Sequence, residues 1–135
     1  MHDRSFLGFD YGTRRVGVAC GNVLLRQASG LKTIAAEGRL RWDAVADLIA
    51  EWQPDALVVG VPFHPDGAEH ENTRRARRFA RQLQGRFGLP VHEVDERWTT
   101  TAARADGARD VDAGAAALIL TQYLQQLAED GDAAA

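Results

Sequence analysis

The order of its apolar segments limits the fold of this chain more strongly than any other property of the sequence. Residues 5–11 and 15–20 have the pattern of two strands joined by a Gly-Thr turn, which predicts an antiparallel hairpin, and a third strand is predicted within 23–35. From residue 39 onward, segments with helical spacing alternate with strand-like runs. The later predicted elements are helices at 39–52, 69–86 and 111–128, strands at 56–61 and 91–95, and a short helix that begins near Thr99.

This order of elements predicts an α/β fold with a mixed five-stranded sheet and helices on both of its faces. A three-strand meander followed by strands that alternate with helices is typical of such sheets. The run 56–61 is apolar throughout, as expected for a strand buried on both faces. No linker or repeat divides the 135 residues, so a single domain, 1–135, is predicted, with a frayed tail at about 129–135.

The composition argues against a membrane protein and against a disulfide-bonded one. No window approaches about 18 uninterrupted apolar residues, and the N-terminus lacks the apolar stretch of a signal peptide. A cytoplasmic protein without membrane contact is therefore expected. The single cysteine, Cys20, lies in an apolar strand pattern, so we expect an inert, buried thiol.

Three carboxylates lie at the edges of predicted elements. Asp10 ends the first strand, Glu96 follows the strand at 91–95, and Asp112 opens the last helix. Side-chain alternation puts Glu96 on the opposite face from its neighbour Asp95. Acids that arrive from two strand ends and a helix start can meet at one point, where a divalent cation would offset their repulsion.

Each of these carboxylates also has a simpler interpretation. Asp10 could bond to backbone amides in a turn, Glu96 could form a surface pair with Arg97, and Asp112 could cap its helix. Asp106 and Asp110 compete with Asp112 for the third position and have a more solvent-facing pattern.

Taken together, the three carboxylates favour Mg²⁺ or Mn²⁺ chemistry on phosphodiesters. Two such ions about 4 Å apart, held by a few carboxylates, can activate water and neutralise the leaving oxygen. The four histidines lack the spacing of zinc ligands, and neither a nucleophile elbow nor a phosphate-binding P-loop is present.

Arginine supplies nearly all of the positive charge, since Lys32 is the only lysine. The formal net charge of -3 gives no support to nucleic-acid binding by bulk charge. The predicted helix at 69–86 nevertheless places several arginines on one face, which could follow a phosphate backbone or simply be solvated. The candidates for nucleic-acid contacts are Arg14 and Arg15 beside Asp10, Arg74 and Arg78 with Arg81 on the helix, and Arg97 and Arg109.

Two of the tryptophans have predicted roles. Trp98 either stacks on a base or lies at the rim of the core, and Trp52 is predicted to be a core residue.

The chain resembles the YqgF family, which is described as Holliday-junction resolvases and as precursor 16S ribosomal RNA nucleases. The resemblance covers about residues 5 to 127 and depends on several motifs in the same order. These motifs are DYGTRRVGVA at 10–19, VGVP at 59–62 with Asp66-Gly67, RFA at 78–80, DER at 95–97 with Thr99-Thr100, and DAGAA at 112–116 leading to Ile119-Leu120. In one departure, the segment between Thr101 and Asp112 is short and contains no lysine, with Arg109 as the candidate basic residue.

The resemblance implies a ribonuclease-H-like fold and a metal-dependent nuclease site formed by Asp10, Glu96 and Asp112. It further implies trimming of the 5′ end of precursor 16S rRNA, with ribosome precursors as partners, or the cleavage of branched DNA as a junction resolvase. A non-catalytic RNA- or ribosome-binding module is a third possibility. A phosphotransferase of the actin and hexokinase type is disfavoured, because that fold needs two such domains. A monomer or a weak homodimer is compatible with these activities.

Overall fold

The computed structural model describes residues 4–64, 66–96 and 111–134, and the side chains of 111, 112 and 129–134 lie outside that description. Eight elements follow one another along the chain. They are β1 (Ser5–Asp10), β2 (Val16–Asn22), β3 (Ala28–Ile34), α1 (Gly38–Trp52), β4 (Ala56–Val61), α2 (Glu71–Phe87), β5 (Val91–Asp95) and α3 (Val111–Ala134). All five predicted strands and the three longer predicted helices are therefore confirmed. The short helix predicted near Thr99 lies outside the described residues.

The five strands form one mixed sheet in the order β3-β2-β1-β4-β5. β1 pairs antiparallel with β2 and parallel with β4, and β5 adds a second parallel pair at the edge. The predicted mixed five-stranded sheet is thus confirmed. Because β1, β4 and β5 run in the same direction, their carboxyl ends meet at one end of the sheet, which we call the carboxyl end.

Each face of the sheet has its own apolar core, as strand alternation requires. Leu7 and Phe9 of β1 pack with side chains of α1 and α2, including Val45, Phe79 and Leu83. The alternate residues of the strands face α3, and this second core contains Phe6, Ala19, Val58, Val94, Ala116, Ile119, Leu120 and Leu124. Helices on both faces agree with the prediction from sequence.

α3 packs very closely on the sheet because small residues line the contact. A Cβ atom added at Gly8 would lie 2.8 Å from the Cβ of Leu120, and one added at Gly30 would lie 3.1 Å from the carbonyl oxygen of Ala113. Tyr123 meets Phe6 at the start of β1, with their ring centroids 5.4 Å apart. From Leu120 to Tyr123, α3 therefore runs antiparallel to β1, whereas Ala113 near its N-terminus lies over the edge strand β3.

Two expectations about the helices are wrong. Trp52 is 42% exposed rather than a core residue, because it is the last residue of α1 and the chain turns away at Gln53 with a φ of 45°. Trp42 instead stacks on Phe79, with ring centroids 5.3 Å apart. α3 extends to Ala134 rather than ending near residue 128. Within the described residues, no helix combines the length and apolarity that a membrane span requires.

Candidate active site

Asp10 is a buried carboxylate at the carboxyl end of the central strand. It is the last residue of β1 and is only 1% exposed. In the sheet register it lies between Gly17 of β2 and Gly60 of β4. Paired residues on neighbouring strands point their side chains to the same face of the sheet. Because both partners of Asp10 are glycines, no side chain lies beside it on the face that α3 covers.

Glu96 reaches the same part of the sheet from β5. Its backbone N–H donates to the carbonyl oxygen of Val61 at 3.1 Å, which continues the β4–β5 pairing one residue beyond β5. Its side chain is 4% exposed, and a Cβ atom added at Gly60 would lie 2.9 Å from Glu96 Oε2. The carboxylate of Glu96 therefore lies over Gly60, the register neighbour of Asp10. Asp95 is exposed on the other face, as alternation requires.

Asp112 is the second residue of α3, so its backbone lies in the first turn of that helix. The next residue, Ala113, lies against Gly30 of the edge strand β3, two strands from β1. The Asp112 side chain is outside the described part of the chain, as are Arg97, Trp98, Asp106, Arg109 and Asp110. Among the described side chains, no three His, Cys, Asp or Glu residues form a group that could hold a metal ion.

The two buried carboxylates fit a hard divalent cation. Carboxylate oxygens are the ligands that Mg²⁺ prefers, and Mg²⁺ is typically held by only one or two carboxylates with water in its remaining positions. Burying two acids on one face is costly unless positive charge or hydrogen bonds compensate for their lost hydration. The donor set therefore supports a divalent-cation site at this end of the sheet.

The turn that follows Asp10 carries two arginines into solvent. Gly12 permits a tight turn, since a Cβ atom there would lie 2.5 Å from the carbonyl oxygen of Arg15. Arg14 and Arg15 are both exposed. The turn thus presents two guanidinium groups beside the strand end that carries Asp10.

Arg41 of α1 supports this turn from the opposite side of the sheet. Its Nε donates to the carbonyl oxygen of Ala36 at 2.7 Å, and its Nη2 donates to that of Thr13 at 3.0 Å. Sequence analysis missed this residue. The available signal was its position four residues before Val45 in the apolar stripe of α1, where a charged side chain is unusual.

The loop between β4 and α2 is fixed by hydrogen bonds at the same end of the sheet. Thr73, which is buried, donates its hydroxyl to the carbonyl oxygen of Pro62 and accepts from the N–H of His70 at 3.1 Å. The Nδ1 atom of His70 accepts from the N–H of Asn72 at 3.1 Å, which caps α2. Sequence analysis also passed over this cap.

The arginines of α2 divide into two groups. Arg75 pairs with Glu71 at 2.7 Å, Arg77 pairs with Glu69 at 2.7 Å, and Arg86 lies 4.3 Å above the ring of Trp42. The other group is exposed and makes no ion pair with any residue that the structure describes. Its members are Arg74, Arg78 and Arg81.

Two further titratable side chains lie at the other end of β5. His92 stacks on Tyr123 with ring centroids 5.2 Å apart, beside a cavity of about 460 Å³. Burial, and to a lesser extent the positive charge of Arg4, lowers the pKa of His92, whereas burial raises the pKa of Tyr123. Neither residue lies at the end of the sheet that carries Asp10.

Cys20 lies in β2 on the α1 and α2 side of the sheet, where it packs against the core. It is half-buried, and burial raises the pKa of its thiol. A thiol with a raised pKa is a weak nucleophile, in agreement with the inert thiol expected from the sequence.

Residues 4–126 match the model of a family described as "RuvX: Holliday junction resolvase". The chain belongs to the RuvX family. This confirms the resemblance to the YqgF family, which is the same family. A RuvX relative from Albidiferax ferrireducens is 64% identical over 92% of this chain and 80% of its own length, and one from Burkholderia pseudomallei is 55% identical over 93% and 90%. Both relatives carry the name "Putative pre-16S rRNA nuclease".

The solved structures place the RuvX fold in a wider group. RuvC of T. thermophilus, solved in complex with a Holliday junction substrate, superposes with a TM-score of 0.57 over 90% of this chain and 93% of its own. The sequence identity of that match is 17%, so the likeness concerns the fold. The ribonuclease-H-like fold predicted for this chain is thereby confirmed.

Proposed function

We propose that this chain is a divalent-metal-dependent nuclease that hydrolyses phosphodiester bonds of structured nucleic acid. The observation that carries this proposal is the burial of Asp10 and Glu96 on one sheet face, with the Glu96 carboxylate over the glycine next to Asp10. Membership of the RuvX family supports the same activity.

In this proposal Asp10, Glu96 and Asp112 are the catalytic metal ligands, with Mg²⁺ or Mn²⁺ as the cofactor. A cation held there would supply a more acidic water and would neutralise charge on the scissile phosphate. Asp10 and Glu96 fix the donor oxygens from the carboxyl ends of β1 and β5, two parallel strands with β4 between them, which limits how far either carboxylate can move. Asp112 enters the proposed ligand set through its position in the first turn of α3.

The proposed nucleic-acid contacts are six arginines. Arg14 and Arg15 extend from the turn beside Asp10, and Arg74 and Arg78 are exposed on α2 without a described ion pair. Arg97 and Arg109 complete the proposed set through their positions next to Glu96 and before Asp112 in the sequence. Arginine suits this role because its planar fork can bind two phosphate oxygens at once.

The proposed biological substrate is precursor 16S rRNA, cut at its 5′ end in the cytoplasm during ribosome maturation. The names of the relatives that are 55–64% identical to this chain support this assignment. The family description and the fold shared with RuvC favour branched DNA as the second candidate. A ribosome precursor is the proposed partner, and end trimming requires no more than a monomer or a weak homodimer.

The metal site is tested by Asp10→Asn, with Asp95→Asn as the matched control. Both variants remove one carboxylate at the end of a parallel strand, but Asp95 is exposed on the other face. We expect Mg²⁺ or Mn²⁺ to support cleavage and to raise the melting temperature of the parent and of Asp95→Asn. Asp10→Asn should remain folded, lose cleavage and lose the metal-induced shift. Retained cleavage in Asp10→Asn would refute the proposed site.

The substrate is tested by comparing cleavage of precursor 16S rRNA with cleavage of a four-way DNA junction. Salt must be matched, since contacts to phosphates dominate affinity. Faster cleavage of the RNA than of the junction, with a product whose 5′ end is that of mature 16S rRNA, supports rRNA processing. Preferential, symmetric cleavage of the junction supports the resolvase. RNA binding with no cleavage under any metal would point to a non-catalytic binding module.

A further inference from the structure

Arg41 is a buried cation without a carboxylate partner in the described part of the chain. The residue is 6% exposed, and its hydrogen bonds go to two backbone carbonyl oxygens rather than to an acid. Buried arginines are usually paired, because removing a charge from water is costly. A core position on α1 would be filled more cheaply by leucine, so the charge and the donors of Arg41 require an explanation.

We propose that Arg41 is a positioning residue that holds the turn between β1 and β2 in the shape needed for Arg14 and Arg15 to grip a nucleic-acid backbone. This inference rests on the proposed nuclease function. It adds a residue that touches neither the metal ligands nor the substrate and acts through the turn.

The geometry shows how one side chain fixes the turn. Nη2 donates to the carbonyl oxygen of Thr13, the residue directly before Arg14, at 3.0 Å. Nε donates to the carbonyl oxygen of Ala36, which follows β3, at 2.7 Å. The guanidinium carbon lies 5.6 Å from the ring centre of Tyr11, at the entry to the turn. Arg41 therefore joins the turn to the segment that leads from β3 to α1.

The rest of the turn is compact, so a fixed carbonyl at Thr13 constrains its neighbours. Gly12 lies against the carbonyl group of Arg15, with room for no Cβ atom. Arg41 holds the carbonyl oxygen of Thr13, and Gly12 packs on Arg15. The backbone of residue 14, which lies between these contacts, therefore has little freedom. A rigid turn loses less conformational entropy when its arginines bind phosphate, which strengthens binding.

The charge of Arg41 acts in the same direction. No described acid neutralises it, so its field adds to those of Arg14 and Arg15 at the carboxyl end of the sheet. A positive potential there attracts phosphates although the chain as a whole carries a formal net charge of -3. The two hydrogen bonds and the Tyr11 ring offset part of the cost of burying Arg41.

The experiment compares the parent chain with Arg41→Met, Arg41→Lys and Arg39→Met. Methionine keeps the unbranched apolar stem but removes the donors and the charge. Arg39→Met makes the same charge change on the same helix, at a side chain that is 93% exposed. The measurements are kcat and KM for a precursor 16S rRNA fragment, amide hydrogen exchange at residues 13–15 without RNA, and Mg²⁺ affinity by calorimetry.

We expect Arg41→Met to raise KM about tenfold, the equivalent of one charge-assisted hydrogen bond, with kcat and Mg²⁺ affinity nearly unchanged. Amide exchange at residues 13–15 should accelerate while exchange in the centre of β1 stays slow. Arg41→Lys, which keeps the charge and one donor, should fall between Arg41→Met and the parent. Arg39→Met should resemble the parent in all measurements.

Three results would overturn the proposal. The first is Arg41→Met with the same KM and the same turn exchange as Arg39→Met. The second is faster exchange throughout β1 and α1, which would make Arg41 a general core residue. The third is a loss of kcat without a change in KM. If Arg41→Met does not fold, Arg41→Lys decides by the same criteria. If the parent cleaves neither the RNA nor a four-way DNA junction, the proposed nuclease fails, and exchange at residues 13–15 still decides whether Arg41 holds the turn.

Discussion

A missing side chain at Gly60 makes room for the carboxylate of Glu96. An added Cβ atom would lie 2.4 Å from Ile119 Cδ1 and 2.9 Å from Glu96 Oε2, closer than such atoms approach. Gly60 is also the register neighbour of Asp10. The absence of one methyl group therefore decides both how α3 packs on β4 and where Glu96 lies relative to Asp10.

Substituting Gly60 should accordingly damage both stability and the proposed metal site. We expect Gly60→Ala to lower the free energy of unfolding by about 1–3 kcal/mol through overpacking, and to weaken Mg²⁺ binding by displacing Glu96. Denaturant titration and calorimetry measure the two effects. Gly85→Ala is the control, because a Cβ there meets nothing within 4 Å and should stabilise α2 by about 0.5–1 kcal/mol. Equal stability of the two variants would contradict this packing.

His92 should make stability depend on pH. Its pKa is lowered from 6.5 in the folded chain, so the unfolded chain binds more protons between the two pKa values. The free energy of unfolding should therefore be highest above about pH 6.5 and fall as the pH drops below it. His92→Phe removes the titrating group, keeps a ring against Tyr123, and should reduce this loss in denaturant titrations at pH 5 and pH 7.5. An identical pH dependence of stability in the parent and the variant would show that folding does not lower the pKa of His92.

Individual residues differ in how far their sequence pattern predicted them. Asp10 and Glu96 were predicted because strand ends and alternation define a face and an end of the sheet. Arg41 and Thr73 were missed because their partners are backbone carbonyl oxygens, of Thr13 and Pro62. Any residue can supply a carbonyl oxygen, so no residue type in the sequence marks such a partner.

At the scale of single elements, α2 carries its core residues on one side and its arginines on the other. Its inner side buries Ala76, Phe79, Ala80 and Leu83. Some of its outer arginines are held by acids or by an aromatic ring, whereas Arg74, Arg78 and Arg81 have no described ion pair. Formal charge alone therefore overstates the phosphate-binding capacity of this helix, since a paired arginine must first leave its acid.

Removing a paired arginine and removing an unpaired one from α2 should therefore weaken RNA binding to different extents, although the charge change is the same. We expect Arg78→Gln to weaken RNA binding and to reduce the slope of log affinity against log salt by about one unit, as for the loss of one phosphate contact. Arg75→Gln should change both quantities less, because Arg75 is paired with Glu71 at 2.7 Å. Fluorescence binding titrations at several salt concentrations compare the two. A larger effect for Arg75→Gln would show that α2 binds RNA through a different side.

The elements themselves were predictable because their apolar periodicity is strong. β4 is a continuous apolar run, and α2 repeats its apolar residues at helical spacing. The errors fell at the ends of helices, where spacing is uninformative. Trp52 continues the stripe of Val45 and Leu48, yet the helix ends there, and the ring is left half in solvent. The periodicity of an element does not indicate whether a neighbour covers its last turn.

At the scale of the whole molecule, α3 alone covers one face of the sheet in the described residues. Its buried side chains, among them Ile119, Leu120 and Leu124, pack on strand residues of that face. Each such side chain contributes about 1.5–3 kcal/mol when fully buried. Several together are comparable to the total stability of a small domain, which is about 5–15 kcal/mol.

The effect of a truncation on stability should therefore depend on whether it removes the part of α3 that packs on the sheet. A chain that ends at residue 110 should lose cooperative unfolding and aggregate, since one sheet face is left uncovered. A chain that ends at residue 128 should unfold like the parent, because the contacts of α3 with this core extend to Leu127. Circular dichroism during heating and size-exclusion chromatography distinguish the two. Cooperative unfolding of the shorter chain would contradict the role of α3 in the core.

That Asp10 and Glu96 lie at one end of the sheet was predictable from element order, but their separation was not. Parallel strands must share a carboxyl end, which brings Asp10 and Glu96 to one edge. Their separation depends on register, and the pairing of Asp10 with Gly60 cannot be obtained from hydrophobic patterns, because several registers bury the same residues. That Asp112 belongs to the site remains a prediction.

The antiparallel packing of α3 on β1 has a consequence for synthesis of this chain on the ribosome. The first strand to be made is the central one, and the helix that covers its Phe6 face is made about a hundred residues later. At about 5–20 residues per second, that face waits roughly 5–20 s for its cover. A nascent chain thus completes its hydrophobic core only when the final helix emerges, so the order of the elements delays folding until synthesis is nearly finished.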